Sequence, residues 1–146
     1  VGDMRRESVG LDLADFALLG VEYPRGYHGA DIDCDPVRPG DEVWVAGNPR
    51  AGYYTIRWAV TYGHVAALGL TYPEKYAGKL EQGVDSLIPL DANAFKGNSG
   101  GPVFNQAGDI IGILTAGLVV PSFFDAVPIG ISLMTPATEF CGAGVG

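Results

Sequence analysis

The sequence predicts an all-β protein: six short antiparallel strands forming a small barrel, a brief helix closing the C-terminus, and one further strand ahead of them. Three observations carry this expectation. The chain holds 22 Gly and 10 Pro against a hydrophobic fraction of 47%, which suits short strands joined by many turns better than a helical bundle. Its apolar runs are punctuated by Gly, Pro, Asn and Asp and are rich in β-branched and aromatic residues. Near the end, Thr135 and Pro136 followed by Glu139 form a helix start, with Thr135 as cap, Pro136 at the first helical position and Glu139 near the positive end. At 146 residues the chain is long enough to enclose one core. The glycines follow no repeat of a fibrous kind.

In chain order, the first apolar run is Phe16-Ala17-Leu18-Leu19, bounded by Asp15 and Gly20; it is too short for a helix and reads as a buried strand. Tyr23 to Gly40 is acidic and turn-rich, the best linker in the chain. Strands follow at Glu42–Ala46, ending in Gly47-Asn48-Pro49, and at Tyr54–Leu68, where Gly63 permits a bend. Residues 71–84 read as an exposed excursion. Four more strands are predicted at Ser86–Pro89, Pro102–Asn105, Asp109–Ala116 and Pro128–Met134. Asn105-Gln106-Ala107-Gly108 reads as a hairpin turn, with Gly108 taking a positive φ. The six strands after Pro39 suffice for the barrel, and the Phe16–Leu19 strand is left over.

Charge excludes two classes of partner. Nine Lys and Arg stand against 17 Asp and Glu, a formal charge of -8, which repels nucleic-acid backbones and anionic membrane surfaces. No apolar stretch reaches the roughly 18 residues of a membrane span, and Val1-Gly2-Asp3 lacks a signal-peptide pattern. Cys34 and Cys141 are the two cysteines; a disulfide and two free thiols both stand open. Two histidines, His28 and His64, have no ligand spacing between them, so neither a metal nor a cofactor is expected.

The most informative segment is Asp91-Ala92-Asn93-Ala94-Phe95-Lys96-Gly97-Asn98-Ser99-Gly100-Gly101-Pro102. A serine between glycines occupies a tight turn that aims its hydroxyl outward, with the Gly97 and Ser99 amides directed into one small volume. Two such amides make an oxyanion hole, where each donor is worth about 3 to 4 kcal/mol. Taken alone, Ser-Gly-Gly is better explained as a glycine-rich hairpin turn with an incidental serine. The longer string Gly97-Asn98-Ser99-Gly100-Gly101-Pro102 resembles the nucleophile signature of trypsin-like serine peptidases, and Asn before Ser is similar to the HtrA/Deg branch. The resemblance continues in family order through Asp15-Phe16-Ala17-Leu18-Leu19, Gly40–Gly52, Thr61–Gly69, Gly108–Thr115 and Val127–Pro136.

The resemblance implies a chymotrypsin-like C-terminal barrel over residues 37–146. Residues 1–36 would be the last strand of an N-terminal barrel and the interbarrel linker, with most of that first barrel lacking. It implies serine endopeptidase chemistry through an acyl-enzyme, with Ser99 as nucleophile, Asp15 as the carboxylate that orients a histidine base, and Gly97 and Ser99 as the oxyanion hole. Asp15 fits better than Asp12 because Phe-Ala-Leu-Leu follows it directly. In the family the histidine precedes the aspartate, and no histidine lies among the residues before Asp15. His28 falls in the linker, and His64 matches a structural strand. The base is therefore expected from outside these residues, and the isolated chain is expected to be inactive. The other reading is a non-catalytic trypsin-like domain that serves as a binding or assembly module.

The resemblance also implies a substrate pocket between Asn93 and the strand Ile113-Leu114-Thr115. Asn93 stands where relatives that prefer basic side chains carry an acid, and an unpaired cation there would cost several kcal/mol. A small or medium apolar side chain is the expected guest. The partners expected are a protein or peptide substrate and the missing N-terminal barrel segment or a second chain. The uncovered strand also invites self-association into a homo-oligomer.

Overall fold

In a computed structural model of the chain, the described residues are 5–7, 16, 18–20, 22, 25–26, 28–71, 86–121 and 126–142. Ten strands and one helix run through them: β1 Arg5–Glu7, β2 Leu18–Gly20, β3 Glu42–Gly47, β4 Arg50–Ala51, β5 Tyr54–Thr55, β6 Ala59–His64, β7 Ile88–Leu90, β8 Pro102–Phe104, β9 Ile110–Pro121, β10 Ala126–Pro136 and α1 Ala137–Cys141. Six of the strands form one sheet in the order β6-β3-β8-β9-β10-β7, with every neighbouring pair antiparallel.

This sheet is a curled half-barrel rather than the closed barrel expected. Its edge strands β6 and β7 are not joined by a ladder. They meet at an isolated Val65–Leu90 bridge, supported by Ala66 N–H donating to Pro89 O at 2.8 Å and Asp91 N–H donating to His64 O at 3.0 Å. With only three residues, β7 is too short to ladder along β6 as well as β10.

Alternation along β3 explains which face is inside. Val43 and Val45 are buried, whereas Trp44 between them packs its ring on Tyr62 with centroids 5.3 Å apart. Val43 and Val45 join Val65, Leu90, Val103, Ile111, Leu114 and Met134 in the core. Burying each such side chain is worth about 1.5–3 kcal/mol.

Several elements depart from expectation. The long strand over Tyr54–Leu68 breaks into β5 and β6, because Trp58 adopts a positive φ of 56° and its N–H turns to Asn48 Oδ1 at 3.0 Å. The strand β2 is not alone, since it pairs with β1. Strands β9 and β10 extend past their expected ends, pairing Val120 with Val127 and Val119 with Pro128. The helix starts at Ala137 with Pro136 as cap residue and no side-chain cap. Thr135 does not cap because its buried hydroxyl is committed to Thr115 Oγ1 at 2.6 Å. The Asn105–Gly108 hairpin is as expected: Gly108 has φ 90°, and Asn105 Oδ1 accepts the Ala107 and Asp109 amides.

The linker is fastened at three places. Ile32 bridges Ile110 in parallel, and Asn105 Nδ2 donates to Asp33 Oδ2 at 3.1 Å. Cys34 and Cys141 form a disulfide with their Cα atoms 6.0 Å apart, settling the cysteine question in favour of pairing. Beside it on α1, Phe140 packs against Phe16 with ring centroids 5.6 Å apart. The terminal helix thus holds both the linker and the residue next to Asp15.

Candidate active site

The segment Lys96–Gly101 lies between two supports. On one flank, Gly100 N–H donates to Leu114 O at 2.7 Å and Leu114 N–H to Gly101 O at 2.9 Å, suturing the turn to β9. On the other, Arg50 N–H of β4 donates to Lys96 O at 2.7 Å. Within the turn, Asn98 N–H reaches Phe95 O at 3.0 Å and Gly101 N–H reaches Asn98 O at 2.9 Å. Three consecutive-region amides are therefore spent on structure. Among the described residues, the Gly97 and Ser99 amides have no hydrogen-bond acceptor.

Gly97 has φ 101°, and a Cβ there would stand 2.5 Å from Asn48 O. Both facts require glycine. Ser99 is exposed, whereas Asn98 before it is only 2% exposed. The Asn98 Oδ1 has no partner among the described residues and packs toward Gly47, whose missing Cβ leaves it room. The turn therefore buries Asn98 as an anchor and turns Ser99 outward.

Asn93 is exposed, and its carbonyl accepts the Thr61 hydroxyl at 3.0 Å. Asn93 and Ala94 lie beside two glycines of β9 and β10: a Cβ on Gly117 would be 3.6 Å from Ala94 O, and one on Gly130 would be 3.9 Å from Asn93 Oδ1. Ile113 pairs with Pro102 on one side and Thr135 on the other. Leu114 points into the core at 1% exposure, and Thr115 is held by Thr135. Asp15 lies outside the described residues, so no geometry links it to Ser99.

No hydrogen bond or ion pair joins a histidine to Ser99 among the described residues. His28 is exposed. His64 Nδ1 stands 3.5 Å from Asp91 Oδ2, the His64 backbone N–H donates to Asp91 Oδ1, and Nε2 is 3.5 Å from the Tyr62 hydroxyl. Tyr62 donates to Glu42 Oε1 at 2.6 Å. Its phenol is raised above the ordinary tyrosine value, first by that hydrogen bond, then by desolvation and by the charges of Glu42 and Asp91. A cavity of about 620 Å³ adjoins this network, lined by Asp33, Asp41, Glu42, His64, Asn105 and Ile111 among others. None of the Lys96–Gly101 turn lines it.

Among the described residues, no group of three His, Cys, Asp or Glu side chains is arranged to hold a metal ion. No helix among them is long and apolar enough to cross a membrane. The supports from Arg50, Asn48 and Thr61 had no signal in the sequence beyond the turn at Gly47-Asn48-Pro49, because they join residues that lie far apart along the chain.

A curled antiparallel sheet that sutures a Gly-Asn-Ser-Gly-Gly turn to one of its strands has the architecture of a trypsin-like peptidase, and the chain belongs to that family. The model described as trypsin-like peptidase domain matches residues 2–113. The chain is 36% identical over 106 residues to the periplasmic pH-dependent serine endoprotease DegQ of Escherichia coli K12, covering 72% of this chain and 21% of that protein. It is 33% identical over 125 residues to the periplasmic serine endoprotease DegP of the same strain, covering 85% of this chain and 23% of DegP. A probable DegP-like periplasmic endoprotease of Brucella suis is 36% identical over 126 residues, with 85% and 22% covered. The domain is therefore related to the HtrA, DegP and DegQ peptidases, and the chain spans about a fifth of the length of these relatives.

Proposed function

We propose that the chain carries the nucleophile of a serine endopeptidase, with residues 37–146 as its C-terminal barrel unit and residues 1–36 as the end of the N-terminal one. Ser99 attacks the scissile carbonyl, the Gly97 and Ser99 amides receive the oxyanion, and Asp15 orients a histidine supplied from outside these residues. The observation that supports this reading best is the pair of uncommitted Gly97 and Ser99 amides at an exposed serine, in a turn whose Asn98, Gly100 and Gly101 amides are bonded. Both residues are exposed, so these two N–H groups stay open to solvent and are free to donate to a developing oxyanion.

The substrate in this reading is a polypeptide laid beside Ile113–Thr115, with a small or medium apolar side chain near Asn93. The Gly117 and Gly130 backbones leave space beside Asn93, and the pocket wall formed by Asn93 supplies no carboxylate for a basic guest. A binding or assembly module without catalysis is the second reading. It is favoured by the absence of any histidine contact to Ser99 among the described residues.

A fluorophosphonate probe separates the two. In the full-length protein, Ser99 should be labelled and the Ser99→Ala variant should not. Absence of labelling in folded full-length material would sink the enzymatic reading. In the isolated chain of 146 residues, labelling should be negligible.

A further inference from the structure

The ribbon of β4 and β5 beside the serine turn displays Tyr53, Tyr54, Ile56 and Trp58 at 105%, 77%, 51% and 85% exposure. Four large apolar side chains within six residues of one ribbon exceed the scattered surface apolar residues of ordinary domains, and such clusters mark binding surfaces. Trp58 also occupies a left-handed backbone position, φ 56°, uncommon for a bulky residue, which turns its side chain out of the strand path.

The ribbon is joined to the site. Arg50 N–H holds Lys96 O at 2.7 Å, and Asn48 O stands where a Gly97 Cβ would be. The serine turn is thus bracketed by β9 on its Gly100–Gly101 flank and by the ribbon on its Lys96–Gly97 flank. For a polypeptide laid across Ser99 with one half beside Ile113–Thr115, as proposed above, the Lys96–Gly97 flank and its ribbon lie open to the other half.

Charge narrows the guest further. From Val43 to Thr71 the sequence has no Asp or Glu, in a chain whose formal charge is -8. Arg50, Arg57 and Lys96 are all exposed. Glu42 and Asp91, which flank this stretch in the sheet, are bound by Tyr62 and His64 at the far end of β6.

We propose that this ribbon is the docking surface for the leaving-group half of the substrate, and that it selects aromatic or large apolar side chains interspersed with acidic ones. The aromatic rings supply the contact area, and the three cations supply the complement to carboxylates. The assignment rests on the reading of Ser99 as nucleophile, and it adds a specificity on the far side of the scissile bond from Asn93.

The test uses the full-length protein in a Ser99→Ala background, so that binding is read without turnover. Fluorescent product-type peptides with a free amino terminus are compared by anisotropy, one alternating Phe or Tyr with Glu and one with Lys in place of each Glu. The acidic aromatic peptide should bind more tightly, Tyr54→Ala should weaken it about ten-fold, and Arg57→Glu should invert the preference. These positions are exposed, so circular dichroism should show the variants folded. With Ser99 restored, internally quenched substrates should be cleaved with the same preference on the leaving side. Equal binding of both peptides, or binding indifferent to Tyr54→Ala and Arg57→Glu, would overturn the proposal. So would ribbon-dependent binding with no matching preference in cleavage. If Ser99 is not labelled by fluorophosphonate while ribbon-dependent binding persists, the catalytic reading fails, and the leaving-group role fails with it.

Discussion

Arg50 donates its backbone N–H to the carbonyl oxygen of Lys96 at 2.7 Å, so the ribbon that follows β3 fixes the residue immediately before Gly97. The same ribbon places Asn48 O against Gly97, and β9 holds the other end of the turn through Gly100 and Leu114. The position of the serine is thus set by strands that the chain contributes from both before and after it.

Gly97→Ala should disable the turn selectively. An alanine at φ 101° with Asn48 O at 2.5 Å from its Cβ must rotate the peptide, and that rotation moves the Gly97 amide. Labelling of Ser99 in the full-length protein should slow about 100-fold. Gly108→Ala is the control: its φ of 90° imposes comparable strain, but nothing lies within 4 Å of the added Cβ. That variant should lose about 1 kcal/mol of stability and keep its labelling rate. Equal rates for the wild type and Gly97→Ala would contradict the oxyanion role.

The terminal helix should act as a clamp. Cys34 and Cys141 close a loop over a sequence separation of 107, and loss of such a crosslink typically costs about 2–4 kcal/mol. Cys34→Ser, or reduction of the wild type, should therefore lower the thermal midpoint, and dithiothreitol should not lower that of Cys34→Ser further. Phe140 is 4% exposed and packs its ring at a tilt against Phe16, so Phe140→Ala should cost about 3–5 kcal/mol. Hydrogen exchange should show increased exchange at Phe16 in that variant, and unchanged protection there would argue against the clamp.

Tyr62 should ionise at higher pH than an ordinary tyrosine. Its hydrogen bond to Glu42 favours the neutral phenol, as do the nearby carboxylate charges. A raised folded value means that this contribution is fully present below the ordinary value near 10 and is lost as pH rises through the folded one. Phenolate absorbance, with Tyr62→Phe as the difference reference, should place the Tyr62 step on the alkaline side of the ordinary tyrosine value. Glu42→Gln should move the step back toward the ordinary value. A step already at that value in the wild type would remove the interaction from the account.

The elements that were legible in sequence are those whose cause is local. The alternation of Val43, Trp44 and Val45 produced β3 as expected, and Asn105 with Gly108 produced the hairpin, because side-chain direction and turn geometry are decided within a few residues. The Gly97–Pro102 string was legible for a similar reason: its glycines answer to the backbone they build. Thr135 shows the opposite case. It has the residue type of a helix cap, but Thr115, twenty positions away, takes its hydroxyl, and no local rule could foresee that competition.

By itself the sequence determined the family, the all-β class, the location of the serine turn and the absence of a histidine ahead of Asp15 within these residues. Tertiary structure alone decided that the sheet curls without closing, that Cys34 meets Cys141, and that an acid-free aromatic ribbon braces the serine turn. The division follows range. Turn geometry and strand alternation are set by neighbouring residues, whereas edge closure, crosslinks and the bracing of a loop depend on which distant segments the core brings together.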